Sequence, residues 1–182
     1  MTATYQRIFL LALVAFLLPM AAHGQPSPGY VRQVLPEAAL VGQGMYRWFG
    51  LSVYKARLWG DKAKVTATGW PTSSFALELE YTRKLDGEDI AIASIDEIKK
   101  LGLGTNAQHD QWLTGMKKLF PNVDEGHKLT GIFMPEQASR FFLDGKLIGA
   151  IDDPEFGPAF FGIWLHPKTT APKLRQLLLG TK

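Results

Sequence analysis

An α+β fold, an antiparallel sheet with helices on one face, is predicted by how the hydrophobic period changes along this 182-residue chain. Period two governs 75–83, helical spacing governs 86–120, period two returns over 129–151, and helical spacing closes the chain. An Asp144-Gly145 pair between two β-rich runs adds a tight hairpin, and with it antiparallel pairing.

Taken in order, residues 1–24 read as a secretion signal. Arg7 precedes an apolar run from Ile8 to Met20, broken by Pro19, and the small residues Ala21, Ala22 and Gly24 follow. The run is shorter than the about 20 residues a membrane-spanning helix needs. Cleavage is expected between Gly24 and Gln25, with an uncleaved anchor as the competing reading. The mature chain, 25–182, is then a single domain exported to the periplasm or cell envelope, with no stable membrane insertion after signal removal. The chain has no cysteine. That excludes a bacterial-type lipoprotein anchor, disulfides, a thiol nucleophile and thiolate metal ligands.

Gln25 to Gly29 reads as a loose entry segment. Gln43 to Trp59 is rich in β-favouring residues and reads as one long strand or two bent ones, with Gly50 as a bulge. Gly60-Asp61 and Gly69-Trp70-Pro71 mark breaks. Phe75 to Arg83 is the clearest strand: Phe75, Leu77, Leu79 and Tyr81 share one face and Glu78, Glu80 and Thr82 the other. Asp86 is placed to cap a helix reaching Leu101, with Ala91, Ile95 and Ile98 inward and Gly102 as the stop. Asn106 is placed to cap a second, carrying Trp112, Met116 and Leu119 and ended by Pro121. Strands are expected over Leu129–Met134, Ser139–Leu143 and Lys146–Ile151. Pro154 to Leu165 reads as a helix with Phe156, Phe160 and Trp164. Thr170 and Pro172 open a last one, ended by Gly180.

A 46% apolar and 12% aromatic content supports a packed core. The 20 Lys+Arg against 17 Asp+Glu are scattered, with no basic stripe for nucleic acid. Lys99-Lys100 and Lys117-Lys118 read as solvated helix faces. There is no Gly-rich phosphate loop, no H-E-x-x-H and no G-x-S-x-G. His109, His127 and His166 sit at element boundaries and read as solvated. Asp152, Asp153 and Glu155 read as helix-capping residues rather than a calcium site. No metal and no organic cofactor are expected.

The stretch from Gly145-Lys146-Leu147-Ile148-Gly149 through Asp153 and Phe156 into Phe160-Phe161-Gly162-Ile163-Trp164-Leu165 carries the most specific pattern. Trp48-Phe49-Gly50-Leu51-Ser52-Val53-Tyr54 and Leu79-Glu80-Tyr81-Thr82-Arg83 precede it. This order of pieces resembles the chalcone isomerase-like family, and more closely its bacterial exported branch, from about Val31 to Gly180. The resemblance implies an open-faced β-sandwich, a large antiparallel sheet under a layer of helices. It also implies either cyclisation of a chalcone, as in the plant enzymes, or fatty-acid binding, as in non-catalytic relatives. Aligned on Val53-Tyr54, the position of the plant catalytic Thr is Phe49, which has no hydroxyl. The catalytic Arg has no counterpart in register, Arg32 being the nearest. The resemblance therefore implies the fold without the isomerase site, and no residue is assigned a catalytic role.

Arg83 continues the apolar face of the strand, where a guanidinium must find water, an acid such as Glu88, or an anionic ligand. The leading expectation is a non-catalytic binder of a small amphipathic or carboxylate ligand such as a fatty acid. Arg83 would meet the carboxylate, with Tyr81 and Tyr54 as neighbours. The alternatives are an isomerase or intramolecular lyase on an unknown aromatic or carbonyl substrate, and a structural or interaction module whose cleft is filled by its own side chains. A cavity between sheet and helices would favour the first two, and a filled interior the third.

Overall fold

Each strand pairs antiparallel with the next in sequence, so β1 (Ala39–Trp48), β2 (Leu51–Gly60), β3 (Phe75–Tyr81), β4 (Lys128–Phe133), β5 (Ser139–Leu143) and β6 (Lys146–Ile151) form one six-stranded sheet. The structure, a computed structural model, describes residues 26–181; the expected signal segment lies outside them. Helices α2 (Gly87–Leu101) and α3 (Asn106–Leu119) form the excursion between β3 and β4. Helices α4 (Phe156–Leu165) and α5 (Pro172–Leu179) follow β6. The α+β reading is correct.

The helix α4 makes the core. Eight of its ten residues are buried, so it is apolar nearly all round rather than amphipathic. Phe160 meets Phe141 and Phe120, Phe161 meets Phe75 and Phe133, and all these rings are buried. Each such ring contributes about 1.5–3 kcal/mol by leaving water. Gly131 in β4 leaves room for Phe161: a Cβ there would stand 2.8 Å from its ring. Ala91, Ile95 and Ile98 of α2 and Trp112 and Met116 of α3 are buried as the helical spacing predicts.

Several boundaries differ from expectation, each for a local reason. Gln43 to Trp59 is two antiparallel strands. Phe49 and Gly50, at φ 47° and 81°, form the two-residue turn between them, so Gly50 is a turn residue and not a bulge. Asp144 and Gly145, at φ 48° and 82°, form the expected hairpin turn with the same signature. The α3 cap is Thr105, not Asn106. Its hydroxyl accepts from Gln108 N–H, and the Gln108 side chain accepts from Thr105 N–H. At α2 Asp86 holds the cap position, but the side chain that accepts from Gly87 N–H is Asn122, at 2.9 Å.

The other difference is on the back of the sheet. The residues after the entry segment form a short helix, α1 (Gly29–Val34), laid on the face away from α2–α5. Val31 packs there with Trp59, Ala76, Ile132 and Phe142 in a second, smaller core. Glu78, assigned by alternation to an outer polar face, is therefore buried.

Candidate functional site

Phe75, Leu77, Leu79 and Tyr81 all bury their side chains, as period two requires. The strand ends at Tyr81. Thr82 still donates its N–H to Val53 O at 2.9 Å, but the chain bends at Thr82-Arg83. Arg83 thus leaves the apolar face and is exposed. Glu88 pairs with Lys117 at 2.7 Å and not with Arg83.

Tyr81 and Tyr54 do come together. Their rings meet edge to face at 5.9 Å, Tyr46 stacks on Tyr54 at 5.0 Å, and the Tyr54 hydroxyl accepts from Trp164 Nε1–H at 2.9 Å. Burial pushes the Tyr54 and Tyr81 phenols well above their ordinary range. This cluster binds α4 to the end of the sheet. Beside it, Leu77, Leu79, Leu129, Gly131, Phe160 and Trp164 enclose a gap of about 10 Å³. That is about the least space a single water needs. Around this gap the described residues pack ring against ring and fill the space between the sheet and α4.

A larger opening lies between α3 and β6. It measures about 340 Å³, with Trp112, Gly115, Lys118, Leu119, Gly149 and Ile151 among its lining residues. The sequence creates it in two ways. Gly115, Lys118 and Leu119 share one helix face at i, i+3 and i+4. Opposite them, the β5–β6 pairing shifts register between Phe141 and Phe142, and Gly149 takes φ 148°. Any side chain at 149 would fill the space, since a Cβ there stands 2.6 Å from the Leu119 methyl. Asp153 borders the groove but is already engaged, accepting from Trp112 Nε1–H at 2.7 Å and from Glu155 N–H at 2.9 Å. The cap position of α4 falls on Glu155, which makes no side-chain cap bond, so Asp153 closes the turn ahead of the helix rather than capping it. Among the described residues no group of three or more His, Asp or Glu is arranged to hold a metal ion. Lys118 is exposed, and among the described residues it forms no ion pair. Alternation could not find this groove, because Lys117-Lys118 has the pattern of any solvated helix face; the glycine three residues before Lys118 was the available sign.

Behind the sheet lies a polar cluster that the sequence also conceals. Glu78 accepts from Arg57 at 2.8 Å and from the Tyr30 hydroxyl at 3.0 Å. Tyr30 in turn lies 2.8 Å from the Thr130 hydroxyl, and Arg57 reaches Glu80 at 2.8 Å. The bond to Arg57 holds the Glu80 carboxyl below its usual value, against partial burial. Every charge here has a partner, so the cluster ties α1 to the sheet. His109 is buried rather than solvated: its Nε2 lies 2.7 Å from Leu103 O, while Nδ1 has no partner. His127 and His166 each accept a backbone N–H through Nδ1.

A family model described as chalcone isomerase-like matches residues 31–180. The chain belongs to the chalcone isomerase-like family. An uncharacterized protein of Haemophilus influenzae is 28% identical to it over 173 residues, 95% of this chain and 76% of the other. Among solved structures, the fatty-acid binding protein of Arabidopsis thaliana is similar in fold. The TM-score is 0.62 at 14% identity, covering 78% of this chain and 86% of that one. Within this chalcone isomerase-like domain, the position aligned with the plant catalytic Thr, Phe49, lies at the tip of the β1–β2 turn and is 86% exposed. Arg32 lies on α1, behind the sheet, where its guanidinium donates to Ser27 O. The two positions are not brought to a common site.

Proposed function

We propose that this protein binds a small amphipathic molecule, such as a fatty acid, and does not transform it. The observation that carries the reading is the α3–β6 groove. Its volume of about 340 Å³ suits a small ligand, Leu119 and Ile151 offer apolar surface, and Lys118 offers an unpaired cation. The likeness in fold to a fatty-acid binding protein supports the ligand class. The filled interior argues against a chain lying between sheet and α4, because Phe160 or Trp164 would have to move. Arg83, with Tyr81 and Tyr54, is the alternative headgroup position, at the end of β3 and three strands from the groove.

Titration calorimetry separates the two. A fatty acid and the uncharged alcohol of the same chain length are titrated into the parent, Lys118→Met and Arg83→Leu. Lys118→Met is expected to weaken the acid by about 1–2 kcal/mol, at the lower end for a hydrogen bond to a charged group because the site is open, and to leave the alcohol unchanged. A loss confined to Arg83→Leu moves the headgroup to the Arg83 end. No binding by the parent would favour the second reading, an interaction module, which the filled interior independently supports.

The same proposal sets the protein in the periplasm or cell envelope, as a member of the family's exported branch. It rests on the charged, apolar, small order of residues 1–24. N-terminal sequencing of the protein from its own host is expected to begin at Gln25; a chain beginning at Met1 overturns cleavage.

A further inference from the structure

The β1–β2 hairpin ends in a cluster that the fold does not use. Trp48, Phe49 and Leu51 are 61%, 86% and 57% exposed, which places half of the large exposed hydrophobic side chains of the described residues within four positions. Trp48 and Phe49 pack edge to face at 4.8 Å, on each other rather than on the core. A Cβ built on Gly50 meets nothing within 4 Å, so the tip stands clear of the rest of the molecule.

The backbone at the tip makes the arrangement costly. Phe49 sits at φ 47°, in the left-handed region that a bulky residue occupies at a cost of about 1–2 kcal/mol. Turns of this kind favour Asn, Asp or Gly at that position. The β5–β6 turn follows the preference, with Asp144 at φ 48°. The β1–β2 turn departs from it in order to hold an aromatic ring in water, which returns nothing to folding.

The charge that adjoins the tip on its own hairpin is basic, and so is the segment that follows the neighbouring strand. Arg47 adjoins it on β1 and is exposed. Val53, two residues into β2 past Leu51, binds Thr82, so the exposed Arg83 and Lys84 leave the sheet at the same end. None of the three forms an ion pair among the described residues. Asp86, next along the chain, holds the cap position of α2, and the exposed Asp124 and Glu125 run beside Arg83 and Lys84, because Leu85 pairs with Val123 and Tyr81 O accepts from Gly126 N–H.

Aromatic rings on a projecting loop, with unpaired cations behind them, match the layered chemistry of a membrane interface. Trp and Phe favour the boundary between headgroups and acyl chains, and Lys and Arg favour anionic phosphates just outside it. We propose that the β1–β2 tip docks this protein peripherally on an anionic lipid surface. Trp48, Phe49 and Leu51 enter the interface, and Arg47, Arg83 and Lys84 meet headgroup phosphates. The contact is interfacial and spans nothing; no helix among the described residues is long and apolar enough to cross a membrane. It rests on the hairpin and is independent of the α3–β6 groove. Arg47, the cation that shares the hairpin with the rings, favours lipid over a second copy of the chain, whose own tip would bring the same charge.

The test is vesicle flotation of the full chain as purified, with the same N-terminus in every variant. Vesicles are phosphatidylcholine alone or an equal mixture with phosphatidylglycerol. Phe49→Asn suits the left-handed backbone, so it should fold with an unchanged or higher Tm while binding mixed vesicles roughly ten-fold more weakly. Arg83→Gln with Lys84→Gln should lose about five-fold per charge on mixed vesicles and nothing on phosphatidylcholine. Equal binding of parent and Phe49→Asn overturns the proposal, as does a parent that binds neither vesicle. Self-association lost in Phe49→Asn, without vesicle binding, also overturns it and assigns the tip to a second copy.

Discussion

Glu78 offers the sharpest test of how α1 is held. Its carboxylate is 3% exposed and accepts hydrogen bonds from the Arg57 guanidinium and from the Tyr30 hydroxyl. Both are charge-assisted, because the acceptor is ionised, and each contributes about 1.5–3 kcal/mol. Losses are cushioned, because Arg57 keeps Glu80 and Tyr30 keeps Thr130. Glu78→Ala should therefore cost about 2–4 kcal/mol, and Glu78→Gln, which keeps an acceptor for Tyr30, about 1–2. Both are within the stability of an ordinary domain, about 5–15 kcal/mol, so both should fold. Urea unfolding followed by tryptophan fluorescence measures each. Combining Arg57→Met with Glu78→Leu removes both charges together and should recover part of the loss, because the Glu80 carboxylate it leaves unpaired is 32% exposed and can be hydrated. A Glu78→Gln variant within about 0.5 kcal/mol of the parent would refute the reasoning, because a buried, paired carboxylate cannot be neutralised that cheaply.

Three further outcomes are expected. Gly42→Ala should destabilise by about 2–3 kcal/mol in thermal unfolding. Its Cβ would stand 2.1 Å and 2.4 Å from the carbonyl oxygens of Leu177 and Leu178, and α5 must lift from β1 to admit it. Stability should be complete below about pH 10 and fall as pH rises beyond it. Burial raises the Tyr30, Tyr54 and Tyr81 phenols, so the unfolded chain ionises first; the slope is at most about 1.4 kcal/mol per pH unit for each, and Tyr54→Phe should reduce it in urea titrations across that range. Purified protein mixed with chalcone should form no flavanone above background, because Phe49 carries no hydroxyl and stands at an exposed turn; efficient cyclisation, followed by absorbance, would mean that other residues supply the site.

The strand and helix periods were legible because each depends only on which side of one element meets the core. Phe75, Leu77, Leu79 and Tyr81 alternate inward whatever covers them, and Ala91, Ile95 and Ile98 recur at helical spacing for the same reason. The Asp144-Gly145 turn was legible because its backbone conformation selects those residue types locally. The Phe49-Gly50 turn was not, since Phe disguises a left-handed position as strand interior. Arg83 shows the limit of alternation: the period puts it on the inward face, but the strand stops at Tyr81 and the bend carries Arg83 into water.

What the sequence determined by itself was the α+β class, the order of elements from β3 onward, the apolar faces of β3, α2 and α3 and the family pattern across 31–180. These follow from short-range periodicity and turn chemistry. Tertiary structure alone decided that α1 covers the back of the sheet and buries Glu78, that aromatic rings fill the interior, and that a groove remains between α3 and β6. Each of these depends on side chains far apart in sequence competing for the same space. Gly149 and Leu119, thirty residues apart, leave a groove only because the β5–β6 register shift and the α3 face meet, and no local pattern carries that distance.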